Sequence, residues 1–210
     1  MKPISVITSR VCPFDANDVD TDLIIPKQFL KRVERTGYGP YLFFERRYDE
    51  DGNPDPDFVM NKPEHQGAQI LLSGRNFGSG SSREHAVWAL QESGFDAVIA
   101  VSFADIFRGN CGKSGMAAVT LPADVIRHLF ALVEADPAVQ VTVDLPAQRV
   151  RADGVGDLEG VDVPFDFDAH TKNMLINGLD EIALTLQHED DIAAFEAQRE
   201  SWRPKVPTPS

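Results

Sequence analysis

The apolar positions fall into unbroken runs in the middle of the chain and alternating runs towards both ends. Ile4 to Val11 alternates loosely and predicts a first strand, stopped by Cys12-Pro13. Gln69 to Leu72, Ala97 to Ser102 and Ala117 to Leu121 are continuous, as strands covered on both faces are. Between and after them the period lengthens. Ala86 to Leu90 reads as a helix. Ala123 to Ala135 carries Val125, Leu129, Leu132 and Val133 on one stripe and ends before Pro137. Val139 to Leu145, Arg149 to Ala152 and Val161 to Phe167 alternate again, which predicts a second, antiparallel sheet. His170 to Asn177 is helical with Gly178 as its C-cap, and Asp190 to Arg199 is the last helix, with Ile192, Phe195 and Trp202 available for docking. This order predicts an α/β domain whose core units alternate strand and helix, with a mixed sheet and an added antiparallel β layer.

Several segments break the pattern. Pro26 to Arg35 starts like a helix, with Phe29, Leu30 and Val33 on one face and Lys27, Lys31, Arg32 and Arg35 on the other. Gly37 to Phe44 sets an aromatic cluster between Gly and Pro, so it is either a core plug or a mobile lid. Asp49 to Pro56 is polar and rich in Pro and Gly, an exposed excursion open to disorder. Asp105 to Arg108 predicts a short helical turn, followed by a loop over Gly109 to Gly115. The tail from Pro204 to Ser210 is proline-rich and reads as loose.

Length and charge narrow the classes. At 210 residues the chain suits one domain with its own core. A formal charge of -13 argues against nucleic acid or an anionic membrane as partner, although a basic pocket in an acidic shell stays open. No stretch approaches the roughly 20 apolar residues that cross a bilayer, and no signal-peptide core follows Met1, so a cytoplasmic location is expected. Cys12 and Cys111 lie far apart, with no Cys/His cluster, so reduced thiols and no metal site are expected. Two cysteines cannot supply the three or four thiolates of an iron-sulfur cluster.

The candidate chemistry sits in Gly74-Arg75-Asn76-Phe77-Gly78-Ser79-Gly80-Ser81-Ser82-Arg83-Glu84-His85-Ala86, a strand-to-helix turn. Its glycines allow positive φ and close approach to the main chain. Ser81 and Ser82 fall at the expected N-cap, where free amides and the helix dipole collect anions. Arg83 is unfavourable for that dipole but can grip a carboxylate or phosphate bidentately. A serine whose alkoxide is held by amides and a guanidinium can act as base or nucleophile. A plain glycine-rich capping turn explains the same residues. A dinucleotide fingerprint does not, because Arg83 replaces its third glycine, and a nucleophile elbow lacks its closing glycine. Gly112-Lys113-Ser114 is no P-loop, since Phe107 stands where that motif needs glycine. The acidic loop Asp15 to Asp22 lacks the glycine and terminal glutamate of an EF-hand and reads as capped turns.

Gly78 to Ala86 resembles the G-x-G-S-S-R-E-H-A signature of the swivelling domain of the aconitase superfamily. Asn17 to Asp22, Ile25 to Leu30, Ser102 to Phe107, Asn177 to Asp180 and Leu184 to Gln187 match as well, and together resemble the bacterial small subunits of 3-isopropylmalate dehydratase up to about Arg203. The resemblance implies a three-layer β/β/α swivelling fold over residues 1–203 and a hydro-lyase that isomerises 2- and 3-isopropylmalate in leucine biosynthesis. It implies Ser81 as the base, Arg83 as carboxylate binder, Ser82 assisting, and Asp22 supporting proton transfer or orientation. Arg35 matches a second substrate arginine with an offset of one residue. Tyr38, Tyr41, Leu42 and Phe43 match a loop that reads the substrate's substituent. His85, tempting as a base, reads as a packing residue of the first helical turn. The [4Fe-4S] cluster with an open iron site is expected in a separate large subunit, so the chain is expected to act only as a heterodimer. A small subunit acting on homoaconitate or 2-methylmalate, a non-catalytic anion-binding domain and a nucleotide-binding α/β protein remain open.

Overall fold

The computed structural model describes residues 1–31, 34–200 and 202. β1 (Val6–Pro13) is the seam between two kinds of sheet. Its C-terminal end pairs parallel with β2 (Ile70–Leu72), Val11 opposite Ile70, and its N-terminal part pairs antiparallel with β5 (Gln140–Asp144), Val6 opposite Asp144. β3 (Ala97–Ala100) and β4 (Ala117–Thr120) extend the parallel half. β6 (Arg149–Ala152) and β7 (Val161–Pro164) extend the antiparallel half. One seven-stranded mixed sheet of order β4-β3-β2-β1-β5-β6-β7 results: the antiparallel strands expected as a second sheet are hydrogen-bonded to the parallel ones through β1, whose two edges pair with both halves.

The helices are α1 (Thr21–Ile24), α2 (Phe44–Arg47), α3 (Glu84–Glu92), α4 (Asp105–Ser114), α5 (Ala123–Ala135), α6 (Ala169–Asn177), α7 (Glu181–Leu186) and α8 (Glu189–Ala197). β2 and β3 are buried at every position, which is why they read as continuous apolar runs. Their side chains divide between two cores. Ile70, Leu72 and Ile99 meet α5 through Ile126, Leu129 and Leu132. Leu71, Val98 and Ala100 meet α3 and α4 on the other face, through Val87, Leu90 and Phe107.

Several expectations fail for tertiary reasons. β1 runs through Cys12-Pro13, because Pro13 closes the ladder opposite Leu72 at the strand end, a place proline tolerates. Pro26 to Arg35 is not a helix: only Lys27–Lys31 forms a 3₁₀ turn, and Arg32 and Val33 lie outside the described residues. The loop expected over Gly109 to Gly115 is instead the second half of α4, which runs on to Ser114 with Gly115 as its left-handed C-cap at φ 88°. Burial of Phe107 and Cys111 outweighs the glycines' poor helix propensity, and Gly112 admits the methyl of Thr171 from α6, 2.7 Å from where a Cβ would stand. α7 has no counterpart in the predicted elements. Asp49 to Pro56 is exposed as expected, but ordered: Asp49 accepts from the amides of Asp51 and Asn53. The proline-rich tail lies outside the described residues.

Gly37 to Phe44 is the core plug, not a lid. Tyr38, Leu42 and Phe43 are fully buried, and Phe43 takes a left-handed backbone, φ 50°. Glu92, at the end of α3, holds this segment by accepting from the amides of Gly37, Tyr38 and Gly39. Three charge-assisted bonds on one carboxylate are lost together in Glu92→Ala, which is expected to destabilise the chain by about 1–2 kcal/mol and speed hydrogen exchange over residues 37–44. Urea unfolding and exchange mass spectrometry measure both; unchanged exchange in that segment would count against the latch.

Candidate active site

The motif turn leaves β2 and enters α3, and the acidic loop of residues 15–22 is laced along it. The amides of Gly74 and Gly78 donate to Ala16 O at 3.0 Å and Val19 O at 2.7 Å, and Thr21 N donates to Ser79 O at 2.8 Å. Asn17 Oδ1 accepts from Arg75 N at 2.8 Å, and Thr21 Oγ1 donates to Ser81 O at 3.0 Å. Asp20 caps α1 by accepting from Leu23 N. Asn17 and Asp20 of this loop therefore register and cap, as their plain reading has it. Gly78, at φ 78°, lies so close to Phe107 that a Cβ would overlap the ring. That contact ties the turn to α4.

The serines do not cap the helix. α3 begins at Glu84, and Arg83 is the N-cap residue, in extended backbone and with no capping side chain. The reason is its side chain: Arg83 reaches across to the acidic loop, where Nη1 and Nη2 donate to Asp22 Oδ1 at 2.6 Å and Oδ2 at 2.9 Å, and Nη1 also donates to Ile25 O at 3.3 Å. Arg83 is only 13% exposed, Asp22 53%. A planar fork on a carboxylate is the geometry arginine recognises best.

This fold leaves the turn's own donors free. Among the described residues, the amides of Gly80, Ser81, Ser82 and Arg83 and the hydroxyls of Ser81 and Ser82 have no hydrogen-bond partner. Both serines are exposed. Four successive amides, two hydroxyls and a neighbouring guanidinium make an anion-binding ledge, and the same groups can hold an alkoxide. A cleft of about 500 Å³ opens beside it, lined by Asp22, Arg83, Lys27 and Glu45 among others. Lys27 is a second cation there that its helical pattern alone assigns to a solvated face.

Ser81, Ser82, Arg83 and Asp22 are thus brought together. Arg35 is not in this cleft: its guanidinium lies 6.0 Å from the centre of the Trp88 ring, on the flank of α3. Tyr38, Leu42 and Phe43 face the core, while Tyr41 is half-buried and stacks on Phe29 at 4.0 Å. His85 packs against Tyr38 and Trp88, centroids 5.2 and 4.7 Å away.

Burial lowers the pKa of His85 from 6.5, with Arg83 adding to the effect and Glu84 opposing it, and burial likewise lowers that of His65. In the unfolded chain both take up protons at higher pH than in the folded one. Stability is then lost as the pH falls from about 6.5 towards 5.5, above the range in which the carboxylates titrate. Melting temperature is expected to drop over that interval, and less so in His65→Gln/His85→Gln; an equal drop in the variant would assign it elsewhere.

The cysteines offer no metal site. Cys12 and Cys111 are buried, with thiols pushed up by burial, Cys12 to about 12. Among the described residues no group of three or more His, Cys, Asp or Glu is placed to hold a metal ion. The chain's residues do not fit an iron-sulfur cluster.

The model of the aconitase C-terminal domain matches residues 5–124, and that of the C-terminal domain of 3-isopropylmalate dehydratase small subunits matches residues 181–208. The chain is 50% identical over 206 residues to the 3-isopropylmalate dehydratase small subunit of Rubrobacter xylanophilus, covering 98% of this chain and 100% of that one. It belongs to the 3-isopropylmalate dehydratase small-subunit family. The Bacillus subtilis member is 52% identical over 202 residues, covering 96% of this chain and 98% of its own. A solved 3-isopropylmalate dehydratase structure from Methanocaldococcus jannaschii superposes with a TM-score of 0.60 at 25% identity, over 91% of this chain and 99% of that one. The mixed sheet with helices on its faces is therefore the swivelling-domain fold of the family. Membership in a small-subunit family implies a large-subunit partner. No helix among the described residues is long and apolar enough to cross a membrane.

Proposed function

We propose that this chain is the small subunit of a 3-isopropylmalate dehydratase, interconverting 2- and 3-isopropylmalate by removing water and adding it back in the opposite sense, in the cytoplasm and in leucine biosynthesis. The observation that carries the reading is the ledge of free amides and hydroxyls beside the Arg83 fork, on a chain half identical to relatives of that name. Residues 1–203 act as one swivelling unit.

In this reading Ser81 Oγ, as alkoxide, takes the proton from the substrate carbon. The C–H electron pair becomes the new C=C bond as the hydroxyl on the adjacent carbon departs. In the return step hydroxide adds to the carbon that lost the proton, and the C=C electron pair takes the proton from Ser81 onto the carbon that lost the hydroxyl, which restores the alkoxide. The free amides and Arg83 hold the alkoxide's charge, which a serine in water could not keep. Arg83 grips one substrate carboxylate and Ser82 donates to it. Lys27, across the cleft, suits the second carboxylate better than Arg35, which lies over Trp88. Asp22 orients Arg83 through its bidentate pair. Of the substituent-reading loop, Tyr41 is the partly accessible member, and Tyr38, Leu42 and Phe43 act from beneath it. A [4Fe-4S] cluster, which the resemblance assigns to the large subunit, would supply a Lewis acid for the departing hydroxyl.

The test is an anaerobic assay with and without a cluster-loaded large subunit, following the ultraviolet absorbance of the unsaturated intermediate. Activity on 2-isopropylmalate is expected only in the mixture. A silent mixture of chains that bind one another would move the substrate to homoaconitate or 2-methylmalate.

A further inference from the structure

After α6 the chain stops behaving like the rest of the domain. α7 and α8 bury no residue. Ile182 and Leu186, four apart and so on one face of α7, are 71% and 58% exposed, and Phe195 on α8 is 68% exposed. Of the residues the sequence leaves available for docking, Phe195 stays largely in solvent, while Ile192 is 37% exposed. Helices of six and nine residues are marginal in water without tertiary packing. Large apolar side chains left exposed on one short segment with polar residues around them mark an interaction surface.

The rim is acidic. Residues 180–200 hold seven carboxylates, Asp180, Glu181, Glu189, Asp190, Asp191, Glu196 and Glu200, against one Arg199. Nearly half of the net charge of -13 lies in a tenth of the chain. A second copy would be repelled, so the occupant is a different protein with an apolar groove and a basic rim. The segment is also one that small subunits share, since a family model of their C-terminal domain matches it by itself.

We propose that the α7–α8 arm is a docking surface for the large subunit, with Ile182, Leu186 and Phe195 as its apolar anchors; the partner's identity rests on the function proposed above. The arm is joined to the reactive turn by α4. Phe107 of that helix packs on Gly78, and Lys113, six residues or about 9 Å further along, pairs with Glu181 at 3.4 Å. Docking at the arm thus seats the partner on the same helix that supports the turn.

The test compares the full chain with Ile182→Ala/Leu186→Ala/Phe195→Ala, in affinity for the cluster-loaded large subunit by biolayer interferometry and in activity as the amount of large subunit is raised. Alanine favours helix, so lost binding cannot be charged to a melted arm, and far-ultraviolet circular dichroism verifies this. Affinity is expected to fall at least about thirtyfold, with turnover recovered at saturating large subunit. Binding within about twofold of the parent overturns the inference and leaves the proposed function standing. If the parent itself binds no large subunit, both fall. If the substitutions instead abolish self-association in sedimentation while large-subunit binding persists, the arm covers a second copy and the inference is overturned.

Discussion

Replacing Ser81 with alanine is expected to lower kcat of the reconstituted enzyme by about a thousandfold, within the range a positioned general base supplies. KM should change little, because the Arg83 guanidinium and the free amides proposed to receive the substrate carboxylate remain. The fold should be indifferent. Ser81 is exposed, its hydroxyl bonds to no described residue, and its backbone carbonyl still accepts from Thr21 Oγ1. Steady-state kinetics beside a melting curve measures this. A variant that keeps more than about a tenth of the parent kcat would remove Ser81 as the base and leave the turn as an anion site only. Ser82→Ala, with its hydroxyl lost but its amide intact, should cost about tenfold and appear in KM.

Arg83→Gln is expected to lower kcat/KM by about a thousandfold through two losses that act together. The substrate carboxylate loses its bidentate partner, and Asp22 loses the fork that neutralises it, leaving a carboxylate facing a substrate of the same sign. Arg83→Lys keeps the charge but a point ammonium cannot serve Asp22 Oδ1 and Oδ2 in one plane, so about a hundredfold loss is expected, mostly in KM. Asp22→Asn separates the two roles. It keeps an acceptor for Arg83 while removing a charge that competes with substrate for the same guanidinium, so substrate should bind no more weakly even as turnover falls. Equal kinetics for Arg83→Lys and the parent would show that Arg83 is structural, a role its low side-chain exposure of 13% would also suit.

Much of this site was legible before any coordinates. Gly78 and Gly80 do take positive φ, Ser81 and Ser82 do present free hydroxyls, and Arg83 does offer a planar fork, because these are properties of residue types in a tight turn. What the turn's local rules could not predict was its helix start. They favour serine at an N-cap, and Arg83 took that place because its partner, Asp22, is 61 residues away in sequence. Glu92 escaped notice for the same reason. It is one acid among many on a helix, and only the approach of residues 37–39 shows what it holds.

By itself the sequence determined the order of the seven strands and of α3, α5, α6 and α8, since burial on two faces leaves continuous apolar runs and burial on one leaves alternation, and it singled out the glycine-rich turn before α3. Tertiary structure decided the rest. It made β1 the seam of one sheet rather than of two, turned the glycine-rich stretch after Arg108 into helix by burying Phe107 and Cys111, and sank Tyr38, Leu42 and Phe43 into the core. These outcomes depend on contacts between distant segments, whose burial energy overrides local propensity. In α7 and α8 no residue is fully buried, and Ile182, Leu186 and Phe195 stay largely in water.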